Sequence, residues 1–348
     1  MSSAELLGHR ELVEGLLRAA RAGRLAHALL FHGPEGVGKF LAAHTLAAGL
    51  LCERGPAFAC GSCGACRQLA AGSHADLFVI DAQTEGEDAI LVERVRAGGD
   101  SAQGASLGDF LALRAREGGW RVVLLRDAHR MNASSQNALL KTLEEPGERV
   151  LLVLETSRID RLLPTTISRC VRVAFGTLEL EDVRTVLRRK GVDLAAAEPL
   201  ARWAQGAPGR ALSHARENAG RQLELAWSVL RGEIGRAQAL EELLELPGEF
   251  HGETPAALLR SRARSFLDLA LGLLLDAERA AAGVDPVQLA HGAGAAELAR
   301  LPAASRERRL AELRSARQDV ERNLAGEGLL ERGLLALRGP RRDRSAQR

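Results

Sequence analysis

The stretch Gly33-Pro34-Glu35-Gly36-Val37-Gly38-Lys39-Phe40 constrains this chain more than any other. Its Gly-x-x-x-x-Gly-Lys spacing is that of a loop which turns a strand into a helix around a phosphate. The glycines permit the tight backbone, the amides cradle the phosphate, and the lysine reaches the β and γ oxygens. The flanks agree. Ala28-Leu29-Leu30-Phe31-His32 is a short apolar run, as expected of a parallel strand buried on both faces. Phe40–Leu51 reads as a helix, whose N-terminus then faces the phosphate. The last loop position is the exception. Ser or Thr there holds Mg²⁺, and Phe40 has no oxygen to offer a cation that takes only oxygen ligands. The frame is that of a nucleotide-binding domain that lacks part of its metal site.

Only three of the 47 Lys and Arg residues are lysines: Lys39, Lys141 and Lys190. A general preference for arginine has therefore spared a lysine at the loop position, where a compact ammonium and a planar guanidinium are not interchangeable. A net charge of +2 does not mark the whole chain as a nucleic-acid binder. No uncharged apolar run reaches the roughly 18 residues of a membrane span. The start, Met1-Ser2-Ser3-Ala4-Glu5, lacks a basic segment followed by an apolar one, so a cytoplasmic protein is expected.

Periodicity orders the rest. Residues 4–23 read as an amphipathic helix. Further strands are predicted at Leu77–Asp81, Trp120–Asp127, Val150–Leu154 and Val171–Val173, with a helix over Asn132–Glu145 that stops before Pro146-Gly147. Residues 82–118 read as a short structured piece and a mobile loop around Gly98–Gly108. Strands alternating with helices predict a three-layer α/β domain with a parallel sheet. After about residue 177 the strand signal ends, and Ala, Leu, Arg and Glu recur at helical spacing. The expected organisation is an α/β phosphate-loop domain over 1–177, a small helical domain over 178–218, an all-α domain over 219–337, and a basic tail over 338–348. The tail reads as a solvated end before a DNA-binding arm.

Cys52, Cys60, Cys63 and Cys66 form C-x₇-C-x₂-C-x₂-C. Four thiolates this close match the tetrahedral preference of structural Zn²⁺, with Gly61 and Gly64 easing the turns, and they leave no open position for catalysis. A redox-active or empty cluster is the alternative. Cys170 stands apart and reads as a buried hydrophobe.

Taken together, the Gly33–Lys39 loop, the four-cysteine insert, Asn137-Ala138-Leu139-Leu140-Lys141-Thr142-Leu143-Glu144-Glu145-Pro146 and Ser168-Arg169-Cys170 resemble the clamp-loader branch of the AAA+ ATPases. The resemblance covers roughly residues 5–215. It implies an AAA+ phosphate-loop domain with a zinc-binding insert, followed by a helical lid and an all-α collar. It also implies partners: the gamma/tau ATPase subunits and the delta subunit of bacterial DNA polymerase III in a hetero-pentamer, with the sliding clamp and primer-template DNA.

By the same resemblance, Gly33, Gly36, Gly38 and Lys39 fall on the Walker A loop and Asp127 on the Walker B aspartate. Ala128 stands where active relatives carry the glutamate that positions the attacking water. Thr156 falls near the sensor-1 position. Arg210 lies one residue beyond the sensor-2 arginine, at whose place Gly209 stands. Phe40, Ala128 and Gly209 depart in one direction, removing metal binding and water activation, so ATP is expected to bind weakly or not at all. Arg169 matches the arginine finger that enters a neighbour's ATP site, with a surface arginine at a strand start as the plainer reading. Lys141, on a helix facing DNA in clamp loaders, is a weaker candidate for a phosphate contact. The expected function is a non-hydrolysing clamp-loader subunit. An active AAA+ motor subunit and a zinc-bearing DNA-binding protein with a relic nucleotide fold are the alternatives.

Overall fold

The computed structural model describes residues 6–55, 57–81, 90, 92–95, 106–112, 119–192, 194–216, 218–247, 255–285, 288–320 and 324–338. The chain divides into two units, Met1–Asp182 and Val183–Arg348.

In the first unit, β1 (Ala28–His32), β2 (Leu77–Asp81), β3 (Arg121–Arg126), β4 (Val150–Thr156) and β5 (Val171–Ala174) form one sheet in the order β2-β3-β4-β1-β5. Every pairing is parallel. Parallel neighbours need crossovers. The helical segments α1 (Arg10–Arg21), α2 (Lys39–Leu51), α3 (Gly64–Ala70), α4 (Val92–Val95), α5 (Leu107–Ala112), α6 (Ala133–Glu144) and α7 (Pro164–Ile167) lie before and between the strands. β4 is buried along its whole length, as a central strand covered on both faces must be. β5 forms an edge, and its Val171 is 53% exposed. The chain runs from β1 out to β2, returns through β3 and β4, and passes over β1 to β5. The crevice between the C-terminal ends of β1 and β4 is therefore a topological switch point, where open α/β sheets bind ligands.

The first helix begins at Arg10, not at residue 4. Gly8 adopts φ 73°, which cannot continue a helix, and a Cβ there would lie 2.8 Å from Leu178 Cγ. Residues 4 and 5 lie outside the described residues. Of residues 82–118, Ile90, α4 and the stretch 106–112 are described; Leu107 and Gly108, expected within a mobile loop, instead begin α5, and residues 98–105 are outside the described set, as is the tail beyond Arg338. Ile90 pairs with Met131 in an isolated bridge. The five strands, α2 and α6 fall within a few residues of the positions that periodicity predicts, whereas α3 and α7 are short helices that it does not single out.

From α8 (Leu180–Arg189), which begins just before the division and runs into the second unit, every regular element is helical among the described residues. α8 leads into α9 (Leu194–Trp203), α10 (Pro208–Arg216), α11 (Ala219–Arg231), α12 (Arg236–Glu245), α13 (Pro255–Ala281), α14 (Gly292–Ala299), α15 (Ala303–Val320) and α16 (Gly326–Arg338). α13 is the axis, 27 residues long, which at 1.5 Å per residue is about 40 Å. Its Phe266, Leu267, Ala270, Leu273 and Leu274 are buried with Leu310, Leu313, Leu330 and Leu334. Arginine is used inside as well as outside. The buried Arg262 donates to the carbonyls of Leu243 (2.9 Å), Leu244 (2.7 Å) and Leu246 (2.5 Å). Those groups end α12 and have no partner within it.

Candidate functional site

The phosphate loop joins β1 to α2, as its spacing predicts. Gly33, Gly36 and Gly38 sit at φ 148°, 80° and 100°, values that L side chains rarely adopt. Gly33 is also fixed by space, since a Cβ there would lie 2.2 Å from the Phe175 carbonyl oxygen. Lys39 is buried, with relative exposure of 3%. Its ammonium donates to the carbonyls of Gly33 (3.0 Å) and Pro34 (2.7 Å), and pairs with Glu155 Oε1 at 3.1 Å. An ammonium has three protons, and three acceptors take them.

Glu155 is the residue that sequence reasoning missed. It stands in β4 opposite Phe31 of β1, and so at the switch-point crevice. Its Oε2 accepts the Asp127 amide at 3.1 Å. Burial pushes the Glu155 carboxyl above its ordinary range, against the pull of Lys39. Its neighbour Thr156, the expected sensor, faces elsewhere. The Thr156 hydroxyl lies 3.1 Å from His129 Nδ1 and accepts the Arg158 amide at 3.0 Å. Burial also lowers the pKa of His129.

The metal side is equally altered. Phe40 packs edge-on to His44 with ring centroids 4.6 Å apart, and the Arg126 guanidinium lies 5.1 Å from the Phe40 ring centre. Arg126 in turn pairs with Asp81 at 2.9 Å. Asp127 takes a left-handed conformation at φ 52°, with its carboxylate 3.8 Å from Arg130. Ala128 is fully buried and opens a 3-10 turn over Ala128–Arg130. No hydroxyl stands at position 40 and no carboxylate at position 128. Arg210, in the second unit, lies 4.6 Å from the Trp203 ring centre.

The four cysteines do come together. Their sulfurs all lie within 4.8 Å of one another, with Cys52–Cys63 at 4.0 Å and Cys60–Cys66 at 3.9 Å. Four sulfurs at the 2.3 Å Zn–S distance form a tetrahedron with edges of about 3.8 Å, so the donor set fits. Cys52 caps the C-terminus of α2 and Cys63 the N-terminus of α3, so the cluster ties one helix end to the next. The Cys66 amide donates to Cys63 Sγ at 3.3 Å, and Glu53 Oε1 accepts the Ala65 amide at 3.0 Å. Such contacts orient ligands and favour thiolate. Amide hydrogen bonds from Ser62 and Cys63 pull Cys60 down to about 5, whereas burial pushes Cys66 up to about 12. Cys170 lies apart from the cluster, and burial alone raises its thiol to about 11.

Arg169 follows α7 and is about one-third exposed. Its Nε donates to Glu144 Oε1 at 2.7 Å, Nη2 also contacts Glu144, and Nη1 donates to the Thr165 carbonyl at 2.9 Å. Glu144 ends α6, within the same sequence motif as Lys141, which is exposed. A second residue missed from sequence is Gln136, on α6 and 2% exposed. Its Nε2 donates to the carbonyls of Met131 (3.1 Å) and Arg161 (3.3 Å). Its Oε1 accepts the Leu163 amide at 2.7 Å and the Thr166 hydroxyl at 3.5 Å. One amide thus fastens α6 to the segment that leads through α7 to Arg169.

A family profile described as "DNA polymerase III, delta subunit" matches residues 8–179. DNA polymerase III subunit delta' of Pseudomonas aeruginosa is 47% identical over 150 residues, 43% of this chain and 43% of that protein. The subunit delta' of Bacillus subtilis is 34% identical over 164 residues, 47% of this chain and 46% of that protein. DNA polymerase III subunit tau of Escherichia coli is 34% identical over 271 residues, 75% of this chain and 40% of that protein. The chain spans less than half the length of each of these relatives.

Proposed function

The chain belongs to the delta-prime family of DNA polymerase III clamp-loader subunits, and from that premise we propose that it works as a non-hydrolysing subunit which lends Arg169 to a neighbour's ATP site. The observation that carries the reading is the joint state of the two halves of the chemistry. The chain's own site has a lysine saturated by internal acceptors, Phe40 at the metal position and Ala128 at the water-activating position. Arg169, by contrast, stands partly exposed just after a short helix braced by Gln136, its guanidinium steadied by Glu144.

In this reading the neighbour supplies nucleotide, metal and attacking water. Arg169 supplies positive charge to the phosphoryl group in transit, an effect of about 10³–10⁵ in rate where arginine fingers act. Glu144 fixes the approach of the guanidinium, and its carboxylate yields to the phosphate oxygens as the finger engages. The partners are the gamma/tau ATPase subunits and the delta subunit in a hetero-pentamer that places the sliding clamp on primer-template DNA. Residues 178–218 form a lid and residues 219–337 a collar through which subunits dock. Cys52, Cys60, Cys63 and Cys66 hold a structural Zn²⁺; with four protein ligands it offers no open position, and its contribution is to fix the α2–α3 connection.

The test is reconstitution with gamma/tau, delta, clamp and primed DNA, comparing unaltered protein with Arg169→Ala. The reading predicts normal assembly and reduced ATP turnover. ATP turnover by the isolated chain that is lost with Lys39→Ala would instead establish the active-motor alternative.

A further inference from the structure

Lys39 in an open phosphate loop offers its ammonium to an anion. Here it offers nothing. Two protons go to the loop's own carbonyls and the third side of the ammonium meets Glu155. Glu155 is reached from a different strand, and it lies in the crevice at the ends of β1 and β4 where a ligand of this sheet belongs. Its second oxygen takes the Asp127 amide. A single carboxylate therefore bridges the phosphate loop and the end of β3, making a charged contact to one and accepting an amide from the other.

We infer that Glu155 is a resident anion that occupies the charge-binding position of the phosphate loop, so that neutralising it turns Gly33–Lys39 into a metal-independent site for a polyphosphate. The inference rests on reading this stretch as a phosphate loop, not on the clamp-loader role. The glycine conformations and the helix N-terminus that cradle phosphate are intact. What opposes a ligand is a buried negative charge beside the lysine. A polyphosphate entering now would have to displace a paired carboxylate and lie against it, and like charges juxtaposed in a dry site cost several kcal/mol. Removing one member of a buried pair leaves the other uncompensated. With Glu155 neutral, Lys39 becomes a buried cation in search of an anion. The ligand is metal-free because Phe40 offers Mg²⁺ no oxygen.

The experiment titrates sodium tripolyphosphate, and separately ATP without added magnesium, into the full chain by calorimetry. The proteins are the unaltered chain, Glu155→Gln, Glu155→Ala and Glu155→Gln/Lys39→Ala. Neutralising Glu155 is expected to tighten tripolyphosphate binding by about tenfold or more, with the gain lost in the double variant and unaffected by magnesium. A folded Glu155→Gln protein that binds no tighter than the unaltered chain overturns the inference, as does a gain that survives Lys39→Ala. A second measurement needs no variant. Lys39, Lys141 and Lys190 are the chain's lysines, and the latter two are exposed. Reductive methylation should modify Lys141 and Lys190 and spare Lys39. Methylation of Lys39 as fast as Lys141 shows that the pair does not hold, and sinks the inference even if the variants fail to fold. Both assays use the isolated chain, so their results stand whether or not reconstitution of the larger complex succeeds.

Discussion

Replacing Gln136 by alanine should cost this protein more than any surface substitution. The side chain is buried and meets four partners: two carbonyls, one amide and one hydroxyl. Alanine leaves the Leu163 amide and the Met131 carbonyl without partners, the two closest contacts at 2.7 and 3.1 Å. Each buried polar group stranded in this way costs about 1–3 kcal/mol. The contacts at 3.3 and 3.5 Å add less. We expect a loss of about 2–4 kcal/mol, with water entering the space supplying the lower bound. For a unit of this size that corresponds to a fall in Tm of roughly 5–15 °C. Thermal unfolding followed by circular dichroism measures it. Gln136→Met separates packing from hydrogen bonding, because it fills most of the volume and pairs with none of the four groups; it should recover only a minor part of the loss. A Gln136→Ala loss below about 0.5 kcal/mol, the range of ordinary surface changes, refutes the reasoning.

Three further outcomes follow from the structure. Protein prepared without chelator should contain one Zn²⁺ per chain, and Cys63→Ser should lose it and raise proteolytic cleavage within residues 52–66; elemental analysis finding no metal in unaltered protein contradicts this. His214 is buried against Ser265 (2.8 Å) and the Trp203 ring, and burial lowers its pKa from 6.5 to about 4. The unfolded chain therefore takes up a proton first as pH falls, and stability drops between pH 6.5 and about 4 by up to roughly 3 kcal/mol. His214→Gln should flatten that part of the Tm-versus-pH curve, and an unchanged slope counts against the assignment. Glu144→Ala should lower the ATPase of the reconstituted complex less than Arg169→Ala does, since it removes the brace and keeps the charge; an equal or larger loss assigns Glu144 a more direct part.

The legible parts of this fold are those set by local chemistry. β1 and β2 fall where apolar runs bounded by polar residues place them, and the cysteines converge because short spacings leave them little freedom. The same holds for the helix end before Pro146, where the following residues cannot continue the pattern. What stays hidden depends on contacts distant in sequence. Glu155 follows the apolar run Val150–Leu154 and looks in sequence like the first solvated residue after it; only the pairing of β4 with β1 brings it to Lys39. Gln136 is a polar residue in an amphipathic helix, and the pattern gives no sign that three of its four partners lie 25 to 30 residues on. The resemblance points to Thr156, yet it is the neighbouring Glu155 that meets Lys39. The start of α1 differs from the periodic pattern because the conformation of Gly8 is tied to Leu178, far along the chain.

The central claim is that this chain completes another subunit's ATP site while its own is closed. The most direct measurement is the DNA-stimulated ATPase rate of the reconstituted clamp loader carrying either unaltered protein or Arg169→Ala, at matched assembly. A clear fall in the rate with Arg169→Ala, and none with Lys39→Ala, is the predicted result. An unchanged rate with Arg169→Ala, or a fall that appears with Lys39→Ala instead, contradicts it.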